Sequence, residues 1–214
     1  VLKSLPIQEF DIRISRVKKS GLDVCDFDVL LNAEFENHDH DMAYLHQGKK
    51  HSHGHTAHEA HSHSHRGMKE VMEILEKTDM TRRAYEIAVK IFTILGEAEA
   101  KAHGTTLEEV HFHEVGAIDS IVDIVAAAVC LDNLDISEVI IPFLYEGGGT
   151  IRCQHGILPV PVPAVANIAA AHHLKLHLTG EQGEYVTPTG AAIAAAIRTS
   201  EVLPRAFNIE KIGL

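Results

Sequence analysis

Histidine is out of proportion in this chain, at 17 of 214 residues. Ten of them fall within residues 38–65: His38, His40, His46, His51, His53, His55, His58, His61, His63 and His65. Imidazole nitrogen suits nickel, zinc, copper and cobalt. The spacing is interrupted, as in His51-Ser52-His53-Gly54-His55 and His61-Ser62-His63-Ser64-His65. Alternate side chains could then converge on one ion, and such a stretch would bind several ions weakly and exchange them quickly. It contains no cysteine, which argues against a structural zinc site. The plain alternative is a solvated His-rich linker, and composition alone does not select nickel. Binding by free imidazole weakens below about pH 6.5.

A second group is His111-Phe112-His113-Glu114, followed by Asp119 and Asp123. On a strand His111 and His113 face one side, since side chains repeat every two residues. Two imidazoles beside a carboxylate could hold a metal ion. Asp119 and Asp123 are four apart and share one stripe of a helix. Acids in a first helical turn also suit the helix dipole, which is their structural explanation.

A third group suits anions. Gly147, Gly148 and Gly149 leave a backbone that a ligand can approach. Thr187-Pro188-Thr189-Gly190 places hydroxyls and amides at a helix start, a ready phosphate site. A tight turn and an ordinary cap are the plain alternatives. Cys153 and His155 flank a hairpin turn. They could be soft ligands, or a half-buried thiol beside a surface histidine; a nucleophilic pair would need an orienting third group that the sequence does not show.

The elements that position these groups can be read from pattern. Residues 9–17 and 24–31 alternate apolar and polar around Lys19-Ser20-Gly21, which predicts an antiparallel hairpin. Residues 38–66 carry too little apolar surface for a core and predict a flexible insert. Met68, Val71, Met72 and Leu75 share a helix face. A longer helix runs from about 81 to 103, with Thr81 as N-cap and Gly104 as stop. A third helix covers 117 to about 132. Residues 138–145 read as a buried strand, with Pro142 as an edge or bulge signal. A second hairpin follows around 154–156, then a helix over roughly 164–172, a strand at 174–178, and an Ala-rich helix from 187 to about 198. Residues 205–212 read as a strand. The sum is an α+β fold with a mixed sheet, hairpins and about five helices, organised as one domain over 1–214.

Composition bounds the function. The formal charge is −11, which disfavours a nucleic-acid backbone as partner. No apolar run approaches the roughly 20 residues of a membrane-spanning helix. Three scattered cysteines favour a reducing compartment, and a cytoplasmic source is the expectation.

Four stretches, VHFHEVGAIDSIVDIV at 110–125, GTIRCQHGILPVPVPA at 149–164, GEYVTPTGAA at 183–192 and IEKIG at 209–213, together resemble the LarC family. These are the nickel-insertion proteins of nickel-pincer cofactor biosynthesis, and the His-rich insert falls where that family carries its own. The resemblance implies delivery of Ni(II) to pyridinium-3,5-bisthiocarboxylic acid mononucleotide, with nickel ending on two sulfurs and one pyridinium carbon. It implies dependence on CTP and Mn(II) or Mg(II), through a domain outside this chain, and an apo-racemase as client. The chain then reads as a fragment of a longer protein, and a homo-oligomer is compatible with it. Under this reading His111, His113 and Glu114 hold nickel or supply a base, Asp119 and Asp123 orient them, and Thr187 and Thr189 hold the nucleotide phosphate. Two other functions fit the same residues: a non-catalytic nickel store or metallochaperone, and a metal-dependent hydrolase.

Overall fold

A computed structural model describes residues 1–8, 10–31, 66–112, 118–153 and 155–213. The ten clustered histidines, the expected flexible insert at 38–65, and His113 and Glu114 lie outside the described residues.

Five α-helices carry the described core. They are α1 (Met68–Lys77), α2 (Arg82–His103), α3 (Ile118–Asn133), α4 (Pro163–His172) and α5 (Pro188–Ile197). The 22-residue α2 is the axis, and α1, α3, α4 and α5 all pack on it. Its start and stop are those expected. Thr81 Oγ1 accepts from the Ala84 N–H at 3.1 Å, and Gly104 closes the helix at φ 68°. A left-handed residue is what glycine adopts without steric cost. The buried stripe includes Ala88, Ile91, Phe92 and Leu95, all fully buried. Each large side chain there contributes about 1.5–3 kcal/mol of burial. Gly96 is a packing requirement in mid-helix: a Cβ there would sit 2.6 Å from Leu107 Cδ1.

The strands pair in four two-stranded sheets among the described residues. Strands β1 (Phe10–Lys19) and β2 (Leu22–Leu31) form the first expected hairpin, turning through Ser20 and Gly21 at φ 50° and 82°. Only its base packs on the core, through Phe10, Val29 and Leu31. Its far end stands clear, with Ile14 70% exposed, because ten-residue strands of about 33 Å outrun the helices beneath them. Cross-strand pairs such as Arg16–Asp23 at 2.8 Å lace that end.

Two short strands, β3 (Arg66–Gly67) and β4 (His111–Phe112), pair antiparallel, so residue 66 is fixed beside Phe112. Strand β5 (Leu144–Gly148) runs parallel to β8 (Leu176–Gln182). Between them come β6 (Thr150–Cys153) and β7 (Gly156–Pro159), the second expected hairpin, and then α4.

Two expectations differ from the structure. Residues 138–145 are not a continuous buried strand. Ile140 makes an isolated bridge with Ser200, and β5 begins only at Leu144. Pro142 explains the break, since it has no N–H to continue a ladder. Residues 205–212 form no strand and lie exposed. Apolar alternation makes a strand only beside an edge, and no described strand pairs with them.

Candidate functional site

The C-terminal turn of α2, the start of α3, the β6–β7 hairpin and the start of α5 surround a cleft of about 650 Å³. Small-molecule pockets typically measure roughly 300–1,000 Å³, so a mononucleotide-sized ligand fits.

One wall is built on the start of α5. Thr187 is its N-cap, and Thr187 Oγ1 accepts from the Gly190 N–H at 3.1 Å. The Ala191 N–H goes to the Thr187 carbonyl, and Pro188 has no N–H. That leaves the Thr189 N–H as the first-turn backbone donor without a partner among the described residues. The two threonine hydroxyls supplement it. The expected Thr187, Thr189 and Gly190 therefore do line the cleft.

This wall is held from behind by a residue that sequence reasoning missed. Glu146, in mid-β5, is fully buried. Its Oε1 accepts from the N–H groups of Gly147 at 2.8 Å, Tyr185 at 2.9 Å and Val186 at 3.3 Å. Its Oε2 has no partner among the described residues. The carboxylate thus ties the segment leading into Thr187 to the β5–β8 sheet. The available signal was one acid between an apolar run and three glycines.

Gly147, Gly148 and Gly149 stand beside β8 and are not among the residues lining the cleft. A Cβ on Gly147 would lie 2.0 Å from the Gly183 carbonyl oxygen. One on Gly149, at φ 82°, would lie 2.1 Å from Gln182 Oε1. Their geometry serves the close crossing of two chain segments.

A second wall is acidic. Asp119 and Asp123 lie one helical turn apart on α3 and both face the cleft. Asp119 Oδ1 accepts from the Ser120 N–H at 2.9 Å within the first turn of the helix. Asp123 stays exposed to the cleft solvent. Its pKa is raised, first by desolvation against the walls and then by the charge of Asp119.

The third wall carries soft donors. Cys153 Sγ lies 3.9 Å from His155 Nδ1 across the β6–β7 turn. The His155 ring sits 5.0 Å from the ring of His103, centroid to centroid. His103 Nε2 is 3.6 Å from Glu99 Oε2, one turn back on α2. Glu99, His103 and Glu184, which also lines the cleft, were not read from the sequence. The Glu99–His103 spacing of four was a signal, but a common one on any helix end. The backbone of His111 lies on β4, paired with Gly67.

The lining residues include four carboxylates, Glu99, Asp119, Asp123 and Glu184, and no lysine or arginine. Such a cleft concentrates cations. Among the described residues, no three His, Cys, Asp or Glu side chains are gathered ready to hold a metal ion. No described helix is long and apolar enough to cross a membrane.

The chain is an α+β body with a ligand-sized cleft, thiol and imidazole groups on one side of it and a helix start on the other. The family model described as nickel insertion protein matches residues 1–214. The chain belongs to the nickel insertion protein family. It is 54% identical, over 100% of its own length and 48% of the relative's, to a pyridinium-3,5-bisthiocarboxylic acid mononucleotide nickel insertion protein of Alkaliphilus metalliredigens (strain QYMF). A relative of the same name from Acetivibrio thermocellus is 34% identical, over 99% of this chain and 47% of the relative. A putative nickel insertion protein of Picosynechococcus sp. is 39% identical, over 96% of this chain and 48% of the relative. The chain thus spans about half the length of these relatives. No solved structure matches it.

Proposed function

We propose that this chain is the part of a nickel insertion protein that receives Ni(II) and pyridinium-3,5-bisthiocarboxylic acid mononucleotide and joins them. The relatives' names and the whole-chain family match support it. The observation that carries it is the cleft itself, where a helix start and an acidic, sulfur- and nitrogen-bearing surface face one space.

Nickel and the nucleotide are both substrates here. The Thr189 N–H and the hydroxyls of Thr187 and Thr189 receive the phosphate, favoured by the partial positive charge of the α5 start. Forming a nickel–carbon bond releases one ring proton. As nickel bonds to the ring carbon, the C–H electron pair becomes the new bond, and the proton passes to a carboxylate. Asp123 suits this role, because its raised pKa makes it a stronger base than an ordinary carboxylate. His111, His113 and Glu114 serve as nickel holders or alternative bases. CTP and Mn(II) or Mg(II) act through the part of the protein outside this chain, in the cytoplasm, and an apo-racemase is the client.

The test combines full-length protein, nickel, CTP and the bisthiocarboxylate precursor, and measures activation of an apo-racemase. Activation is expected, with at least a tenfold loss in a His111→Ala/His113→Ala variant, of the order seen for lost metal-site partners. Nickel bound without any activation overturns insertion and leaves a nickel store.

A further inference from the structure

The β6–β7 turn and the end of α2 are far apart in sequence, yet they bring Cys153, His155 and His103 into one row. Sulfur, nitrogen and nitrogen in sequence suit a late first-row divalent ion. Ligands sharing one such ion tetrahedrally, at about 2.3 Å for sulfur and about 2.0 Å for nitrogen, lie about 3.5 Å apart. The observed 3.9 Å is a small side-chain rotation away. Both histidines are exposed and line the cleft. Glu99, 3.6 Å behind His103, can fix the orientation of that imidazole, as carboxylates do for metal-bound histidine.

We propose that Cys153, His155 and His103 form a docking point at which nickel is held in the cleft before it passes to the organic precursor. The inference rests on the insertion reading above and adds where the ion waits. An ion destined for transfer needs an under-filled, adjustable donor set, since a closed cage would retain it. The remaining coordination positions stay open to water and then to the sulfurs of the precursor.

The step is balanced without redox chemistry. On loading, nickel replaces the thiol proton of Cys153: a Ni–S bond forms, the S–H bond breaks, and the proton leaves to water. On transfer the Ni–S bond breaks as a precursor sulfur takes its place, and the Cys153 thiolate regains a proton. Nickel remains Ni(II) throughout.

Thiolate-to-metal charge-transfer absorption reads this site selectively, because the His-rich stretch contains no cysteine. Full-length protein is titrated with Ni(II), and with Co(II) as a second probe. A charge-transfer band is expected in the parent and in Cys25→Ser and Cys130→Ser controls. It should vanish in Cys153→Ser, and its apparent Kd should rise about tenfold or more in His155→Ala and His103→Ala. Absence of the band in the parent, or its survival in Cys153→Ser, overturns the docking point. Unchanged affinity in both histidine variants overturns the three-donor arrangement. Nickel transfer to the precursor is measured in parallel. Transfer without the band removes the docking point and leaves insertion standing; the band without transfer does the reverse.

Discussion

The two ends of the cleft are built on opposite principles. At the α5 end, the polar groups that shape the wall are committed. Glu146 is buried and accepts three backbone N–H groups, and Thr187 caps the helix behind it. At the Cys153–His155 end the donors sit on a hairpin turn and on the last turn of α2, with Cys153 Sγ 3.9 Å from His155 Nδ1 and the two imidazole rings 5.0 Å apart. A phosphate has one charge pattern and one shape, so a rigid receptor suits it. A metal ion that must change ligands needs donors that move. Under the proposed function, the first end anchors the nucleotide and the second lets the ion travel.

Three substitutions sharpen or break this contrast. Glu146→Ala should act most strongly, since it orphans three backbone donors behind the anion wall. The cost should be about 2–4 kcal/mol, read as a lowered denaturant midpoint. His155→Ala, on the adjustable side, should stay within about 0.5 kcal/mol of the parent in the same assay. Equal costs at the two positions would erase the distinction. Next, Thr187→Ala should cost about 1 kcal/mol by removing the N-cap, and should weaken phosphate-containing ligands. A stability loss with unchanged nucleotide binding would confine Thr187 to capping.

The smallest effect concerns Asp123. Its pKa is raised in the folded state, so the folded protein binds more protons than the unfolded chain between the ordinary and the raised values. Stability therefore falls as pH rises through that window. Asp123→Asn should remove this penalty, gaining at most about 0.5 kcal/mol above the window, a figure kept small because the carboxylate still meets solvent. The gain should disappear as pH falls below the ordinary carboxylate range. Thermal melts at several pH values measure it. A gain independent of pH would mean that the α3 wall is not desolvated.

Much of the fold was legible because it is local. Thr81 and Gly104 bracket α2 as their side-chain chemistry requires, and Pro188 after Thr187 starts α5. Both hairpins follow from alternation around glycine turns. The strand read over 138–145 failed because a proline's missing N–H outweighs β-branched content, and that over 205–212 because pairing partners are not local. Within the site, Asp119 and Asp123 were legible through helical spacing. Glu146 was not, since a lone acid in a strand gives no sign of which distant amides it will meet.

The sequence by itself determined the elements, their caps and the supply of metal-seeking and phosphate-seeking groups, because spacing rules act over one helical turn or one strand repeat. Tertiary structure decided which groups share a space. Ala191 and Ala192 on α5 and Ala164 and Val165 on α4 are buried, and both helices pack on α2. That packing sets the end of α2 against the β6–β7 turn and brings Glu99 and His103 to Cys153 and His155 across some fifty residues. No short-range pattern encodes that distance; it follows from how small side chains let helices approach.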